Sequence, residues 1–171
     1  LVAPQRMAEQ YSTESLMEEL TELAQFPTVN GFILNVEAYQ PIREAYALWD
    51  AGLGSANTVA EAIKTVIDEQ TKQYTSLHYL VIVGGDSIIP FYRVQDRTYF
   101  FKESRYGREL VDSTVTDALQ SNKMLTDDYY AASEESEYPY KGYYSYDKLT
   151  IYLPELVTGR LVETPQEIRT V

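Results

Sequence analysis

Nucleophilic or acid–base chemistry at neutral pH needs a thiolate, a titrating imidazole or a converging set of ligating side chains. This chain has no cysteine and one histidine, His78. A thiol nucleophile is therefore excluded, disulfides cannot form, and a serine has only His78 to serve as its base. His78 opens the apolar run Tyr79-Leu80-Val81-Ile82-Val83 and has no glycine partner, so it reads as a core or strand-edge residue. Gly84-Gly85-Asp86 closes that run. A glycine turn after a strand can cradle a phosphate. Here Gly-x-Gly-x-x-Gly is absent, and Pro90 prevents the immediate helix whose N-terminus would hold the anion. A plain strand-ending turn is the expected use of these glycines, which tolerate positive φ.

Two aromatic stretches invite binding chemistry. Residues 91–110 interleave Arg93, Arg97, Lys102, Arg105 and Arg108 with Phe91, Tyr92, Tyr99, Phe100, Phe101 and Tyr106. Basic and aromatic interleaving is one way to hold a nucleic acid. Asp96, Glu103 and Glu109 dilute it, and the formal net charge of -12 opposes a phosphate-rich partner. A solvated hairpin or long surface loop is expected instead. Eight of the 16 tyrosines fall between Tyr129 and Tyr152. Tyrosine offers a flat apolar face with a polar tip, which suits peptide or glycan, while strands also favour it simply for packing.

The elements that must position these residues follow from periodicity. Tyr79 to Val83 lacks alternation, which predicts a parallel strand covered on both faces. Residues 1–4 resemble the end of a preceding strand, and residues 31–36 read as a second. Between them residues 12–25 form a helix with Leu16, Leu20, Leu23 and Ala24 on one face. Pro41 starts a short helix through Trp49, a core-packing residue, and Gly52 and Gly54 break it. Thr58 and Glu61 make a capping box for a helix running to about Gln73, whose Val59, Ile63, Val66 and Ile67 form a sheet-packing stripe. Leu149 to Tyr152 and Leu156 to Val162 complete the strands. The order β-α-β-α-β implies a right-handed parallel α/β layer. The predicted fold class is α/β, a parallel sheet flanked by helices with an added Tyr-rich β-hairpin region.

A length of 171 residues suits one α/β domain, and 44% hydrophobic with 23% charged residues argues against disorder. No apolar run approaches the ~18 residues of a membrane span, and no signal peptide is present. Thr164, Pro165 and Glu167 make a capping box with proline at N1, announcing a helix just before the sequence stops. The chain is accordingly expected to be a fragment of a longer protein.

Three motifs carry a family resemblance. They are Tyr79-Leu80-Val81-Ile82-Val83-Gly84-Gly85-Asp86-Ser87-Ile88-Ile89-Pro90, Thr126-Asp127-Asp128-Tyr129-Tyr130, and Tyr152-Leu153-Pro154-Glu155-Leu156-Val157-Thr158-Gly159-Arg160-Leu161. In this order they resemble the gingipain-type cysteine peptidases, with a strand ending in Val-Gly and closed by Ile-Pro, a Thr-Asp-Asp-x-Tyr element, and a Gly-Arg strand followed by a helix. The resemblance implies a caspase-like fold of two side-by-side α/β halves. The family's catalytic histidine, within a His-Gly pair, and its catalytic cysteine lie in the second half, so no residue here is expected to be catalytic. It implies calcium near the Val-Gly turn and near the loop before the Gly-Arg strand, with Asp86, Asp128, Asp147 and Glu155 as candidate ligands. Calcium takes six to eight oxygens. It also implies an extracellular or cell-surface setting and, as partner, the catalytic half of the same parent polypeptide. The reading from another class is a non-enzymatic module that binds peptide or glycan through its Tyr-rich face.

Overall fold

The computed structural model describes residues 1–98, 101–110, 113–141, 146–162 and 164–169, and the side chains at 14, 108 and 137–149 also lie outside the description. In chain order the elements are α1 (Pro4–Ala8), α2 (Glu14–Gln25), a 3-10 turn (Val36–Ala38), α3 (Gln40–Asp50), α4 (Ala56–Gln73), β1 (Tyr79–Val83), β2 (Tyr92–Gln95), a second 3-10 segment (Glu103–Arg108), α5 (Thr114–Gln120), β3 (Lys123–Thr126), α6 (Asp128–Ala131), β4 (Glu135–Lys141), β5 (Tyr146–Tyr152), β6 (Val157–Leu161) and α7 (Pro165–Ile168).

The chain is mixed α/β around a small parallel sheet. β1 and β6 pair in parallel, Tyr79 opposite Val157 through Val83 opposite Leu161. On the other edge of β1, the Leu1 amine donates to the Val81 carbonyl and the Val83 N–H donates to the Leu1 carbonyl. Val2 then bridges Asn35 in parallel. Four segments thus lie side by side in the order 33–36, 1–3, β1, β6, although only β1 and β6 form strands. The expected strand at 31–36 shrinks to one bridge because its start is tied elsewhere: the Gly31 N–H donates to the Ala24 carbonyl of α2. Antiparallel pairs join β2 to β3 and β4 to β5.

Burial explains the helices. Val59, Ile63, Val66 and Ile67 of α4 are all buried, as the stripe requires, against Leu80, Ile82, Val36 and Ile42 in one core. Each such aliphatic side chain is worth ~1.5–3 kcal/mol of burial. The capping box placed at Thr58 is corrected. Ser55 is the N-cap and its hydroxyl accepts the Thr58 N–H at 3.2 Å, so α4 begins earlier than expected, at Ala56, and Thr58 lies inside it. A serine that can accept from N3 outcompetes a threonine already committed to the first turn. The capping box at Thr164 forms as expected, with both reciprocal bonds to Glu167.

Three further expectations are corrected by exposure. β1 is not covered on both faces: Leu80, Ile82 and Val83 are buried, but Tyr79 is 70% and Val81 47% exposed. Leu23 of α2 is 58% exposed although it continues the apolar face begun by the buried Leu16. His78 is exposed at the amino end of β1, which leaves the strand-edge alternative and removes the core one. The stretch at 91–110 is neither hairpin nor free loop. Its first residues form β2, and beyond them the Asp96 carboxylate is buried, accepting the Thr98 N–H, the Thr98 hydroxyl and the Glu103 N–H. Buried backbone donors need such partners. Tyr99 and Phe100 lie outside the described residues. Among the described residues, no helix is long and apolar enough to cross a membrane.

Candidate functional site

The carboxyl ends of β1 and β6 lie together, which is where open α/β sheets build their sites. Gly84 turns the chain there with φ +116°, and a Cβ on it would stand 2.7 Å from Ile88 Cγ2. Only glycine fits. The Gly85 carbonyl accepts the N–H groups of Ile88 and Ile89, closing the turn.

Arg160 organises everything around that turn. β6 carries it beneath the turn, where its side chain is 5% exposed. Its Nε and Nη2 donate to the two Asp127 carboxylate oxygens at 2.8 and 2.5 Å, a fork-on-fork pair. Its Nη1 donates to the Gly84 carbonyl at 2.8 Å and the Ile89 carbonyl at 2.7 Å. The guanidinium also sits 3.9 Å from the Phe91 ring centroid. One side chain therefore ties together the Val-Gly turn, the Thr-Asp-Asp element and the Gly-Arg strand. Two phenols complete the knot: Tyr130 donates to the Pro90 carbonyl at 2.5 Å and Tyr46 to the Ile88 carbonyl at 2.6 Å. Burial pushes both phenols above their ordinary range, so they stay protonated donors.

Asp86 is equally committed. Buried in the turn, it accepts the Phe91 N–H at 2.8 Å and pairs with the Arg93 guanidinium at 2.5 Å. Asn57 of α4 holds the Arg93 backbone through both its N–H and its carbonyl. Ser87 is held too, its carbonyl accepting from Arg6 and its hydroxyl meeting Gln10. The end of the sheet is thus a set of satisfied structural bonds. No imidazole stands near it, since His78 lies at the opposite end of β1.

The four acids considered for calcium are dispersed in role. Asp86 is neutralised by Arg93. Asp128 is exposed at the start of α6, its N–H donating to the Thr126 hydroxyl. Glu155 is exposed and accepts the Ser133 hydroxyl at 2.5 Å. Asp147 lies opposite Tyr140 in the β4–β5 pair, and its side chain is outside the described residues. Among the described residues, no three acidic or histidine side chains converge.

A second feature is a tyrosine cluster. Tyr92 of β2 and Tyr129 of α6 stack with centroids 3.7 Å apart, and Tyr152 of β5 stands edge-on to both, at 5.5 and 5.0 Å. Burial, then neighbouring acids and phenols, raises the titration of Tyr129. A groove of about 370 Å³ adjoins it, lined by Glu61, Lys64, Asp68 and Glu135 besides the rings. One of about 240 Å³ also borders Tyr92 and Tyr152, with Arg93, Gln95 and Thr150 in its wall. The Tyr129–Tyr152 part of the cluster lies within the Tyr-rich stretch. Tyr92 joins it from the separate basic and aromatic stretch at 91–110, and Tyr143 and Tyr144 lie outside the described residues. The Arg160–Asp127 pair was missed. The signal the sequence offers is a lone arginine on a strand and two adjacent aspartates, the first of them 33 residues before it.

Neither a family model, nor a curated protein, nor a solved structure matches this chain.

Proposed function

We propose that this chain is the non-catalytic half of a gingipain-like cysteine peptidase domain, which supports a catalytic half carrying the histidine and the cysteine. One observation carries the reading: the three motifs that bear the resemblance converge on Arg160, so their order in the sequence reflects a single physical unit. A supporting half needs rigidity rather than chemistry, and Arg160, Asp127, Asp86 and Arg93 at the carboxyl end of the sheet are all engaged in structural bonds. In this reading the protein acts outside the cell or at its surface. In the same reading calcium is the implied cation, with Asp86, Asp128, Asp147 and Glu155 as the acids that would supply its carboxylate oxygens.

The test is hydrolysis of a mixed fluorogenic peptide library by the purified chain, with and without calcium, together with labelling by a thiol-directed inhibitor. The chain alone is expected to show neither turnover nor labelling. Turnover that survives purification and is abolished by His78→Ala overturns the reading.

A second reading rests on the Tyr92–Tyr129–Tyr152 cluster and its flanking grooves, which suit a peptide or glycan on a non-enzymatic module. Isothermal titration with peptide and oligosaccharide panels tests it. Saturable binding that Tyr152→Ala removes supports it, and binding unchanged by that substitution removes the cluster from consideration.

A further inference from the structure

Helix α4 presents two sides. Val59, Ile63, Val66 and Ile67 are buried in the core, while Glu61, Lys64 and Asp68, spaced i, i+3, i+7, share another side. Those three line the groove of about 370 Å³ beside the tyrosine cluster, and Glu134 and Glu135, where β4 begins, line it too. The groove thus combines aromatic rings with four carboxylates against one ammonium. Lys64 and Asp68 pair with each other, and Glu135 accepts the Thr150 hydroxyl at 3.2 Å. Among the described residues, the exposed Glu61 and Glu134 carboxylates accept no hydrogen bond and join no ion pair.

The negative field of this wall reaches the rings. Burial first, then Tyr92, Glu61, Asp68 and Glu135, raises the titration of Tyr129. A field that opposes a phenolate favours a cation in the same place. Charge then decides between glycan and peptide. A neutral sugar gains nothing from the charge of these carboxylates, and an acidic one is repelled. A guanidinium gains from both surfaces, because its fork matches a carboxylate and its plane lies on an aromatic face. This chain makes that pair of contacts twice within itself. Arg160 forks onto Asp127 with its guanidinium 3.9 Å from the Phe91 ring centroid, and Arg6 forks onto Asp50 with its own 4.3 Å from that of Tyr46.

We propose that the acidic tyrosine groove holds an arginine side chain of a partner peptide, its guanidinium against the rings and its charge matched by Glu61 and Glu134. The inference rests on the second reading above, that the tyrosine cluster is a binding site, and names its ligand. It is a holding site: the chain has no thiol, and no histidine lines the groove.

The probes are acetylated, amidated peptides Gly-Ser-X-Ser-Gly, with X arginine, lysine or the neutral isostere citrulline, and the neutral sugar maltohexaose. Nitrogen-15 NMR titration of the full chain at low salt reads weak binding and shows which amides move. The arginine peptide is expected to give saturable shifts around Tyr129 and Tyr152, with affinity about threefold lower for lysine and about tenfold lower for citrulline. Glu61→Gln combined with Glu134→Gln is expected to weaken the arginine peptide about fivefold, and Tyr152→Ala to abolish saturation. Glu18→Gln combined with Glu22→Gln removes the same charge from exposed positions of α2 and is expected to change affinity by less than about twofold. The spectra of the unliganded variants check that each is folded, and both glutamine pairs alter only exposed positions. Equal binding of the arginine and citrulline peptides, equal binding of arginine and lysine, or equal effects of the two glutamine pairs overturns the proposal. Saturable binding of maltohexaose that Tyr152→Ala removes, without binding of the arginine peptide, overturns it while sustaining the second reading. Binding of none of the four probes overturns the proposal and the second reading together.

Discussion

Removing the Arg160 guanidinium strands four acceptors at once. Arg160→Met keeps most of the side chain's length and its contact with Phe91, but leaves the Asp127 carboxylate and the Gly84 and Ile89 carbonyls without their donor. Breaking a buried ion pair by deleting one partner costs ~3–5 kcal/mol. Asp127 keeps some access to water, its side chain being 18% exposed, so the lower end applies, ~3 kcal/mol. For a chain of this size, 1 kcal/mol moves Tm by ~2–4 °C, which predicts a fall of ~6–12 °C. Arg160→Lys keeps the charge, yet one ammonium cannot reproduce a planar fork while also serving two carbonyls, and the expected cost is ~1–2 kcal/mol. The double variant Arg160→Met/Asp127→Asn should cost less than the sum of its singles, because the stranded carboxylate is gone. The assay is urea unfolding followed by circular dichroism for all four variants. A cost below ~1 kcal/mol for Arg160→Met, or strict additivity in the cycle, would refute the reasoning, since that is how a surface pair behaves.

Gly84→Ala should cost ~2–3 kcal/mol in the same assay, because it adds positive-φ strain to a 2.7 Å approach to Ile88, whereas Gly85→Ala, where a Cβ meets nothing, should cost under ~1 kcal/mol. Ser55→Ala should destabilise by ~1 kcal/mol, more than Glu61→Ala, which would be the costlier change if Thr58 and Glu61 formed the cap.

The sequence made the local signals readable and hid the long-range ones. The α4 stripe, the Thr164 capping box and the turn after Val83 each rest on residues within one or two helical turns of each other, and all three appear in the structure. The Ser55 cap was misplaced because Thr58 and Glu61 match the pattern equally well, and only geometry shows which hydroxyl points at a free N–H. β1 was read as doubly covered since its composition is apolar throughout. Composition records what a strand tolerates on each side, while coverage depends on what else is folded against it. Arg160 and Asp127 stand 33 residues apart, and neither carries a local mark of being buried. Tyr92 joins Tyr129 and Tyr152 only through the β2–β3 pairing, which no nearby turn residue announces.

The most direct test of the supporting-half reading is to clone and sequence the native transcript that encodes this chain. The account predicts that the ~150 residues following Val171 contain a strand-terminal His-Gly pair and, after a later strand, a cysteine, the pair of groups this family type needs for peptide hydrolysis. A transcript that continues for that length without both residues contradicts the account.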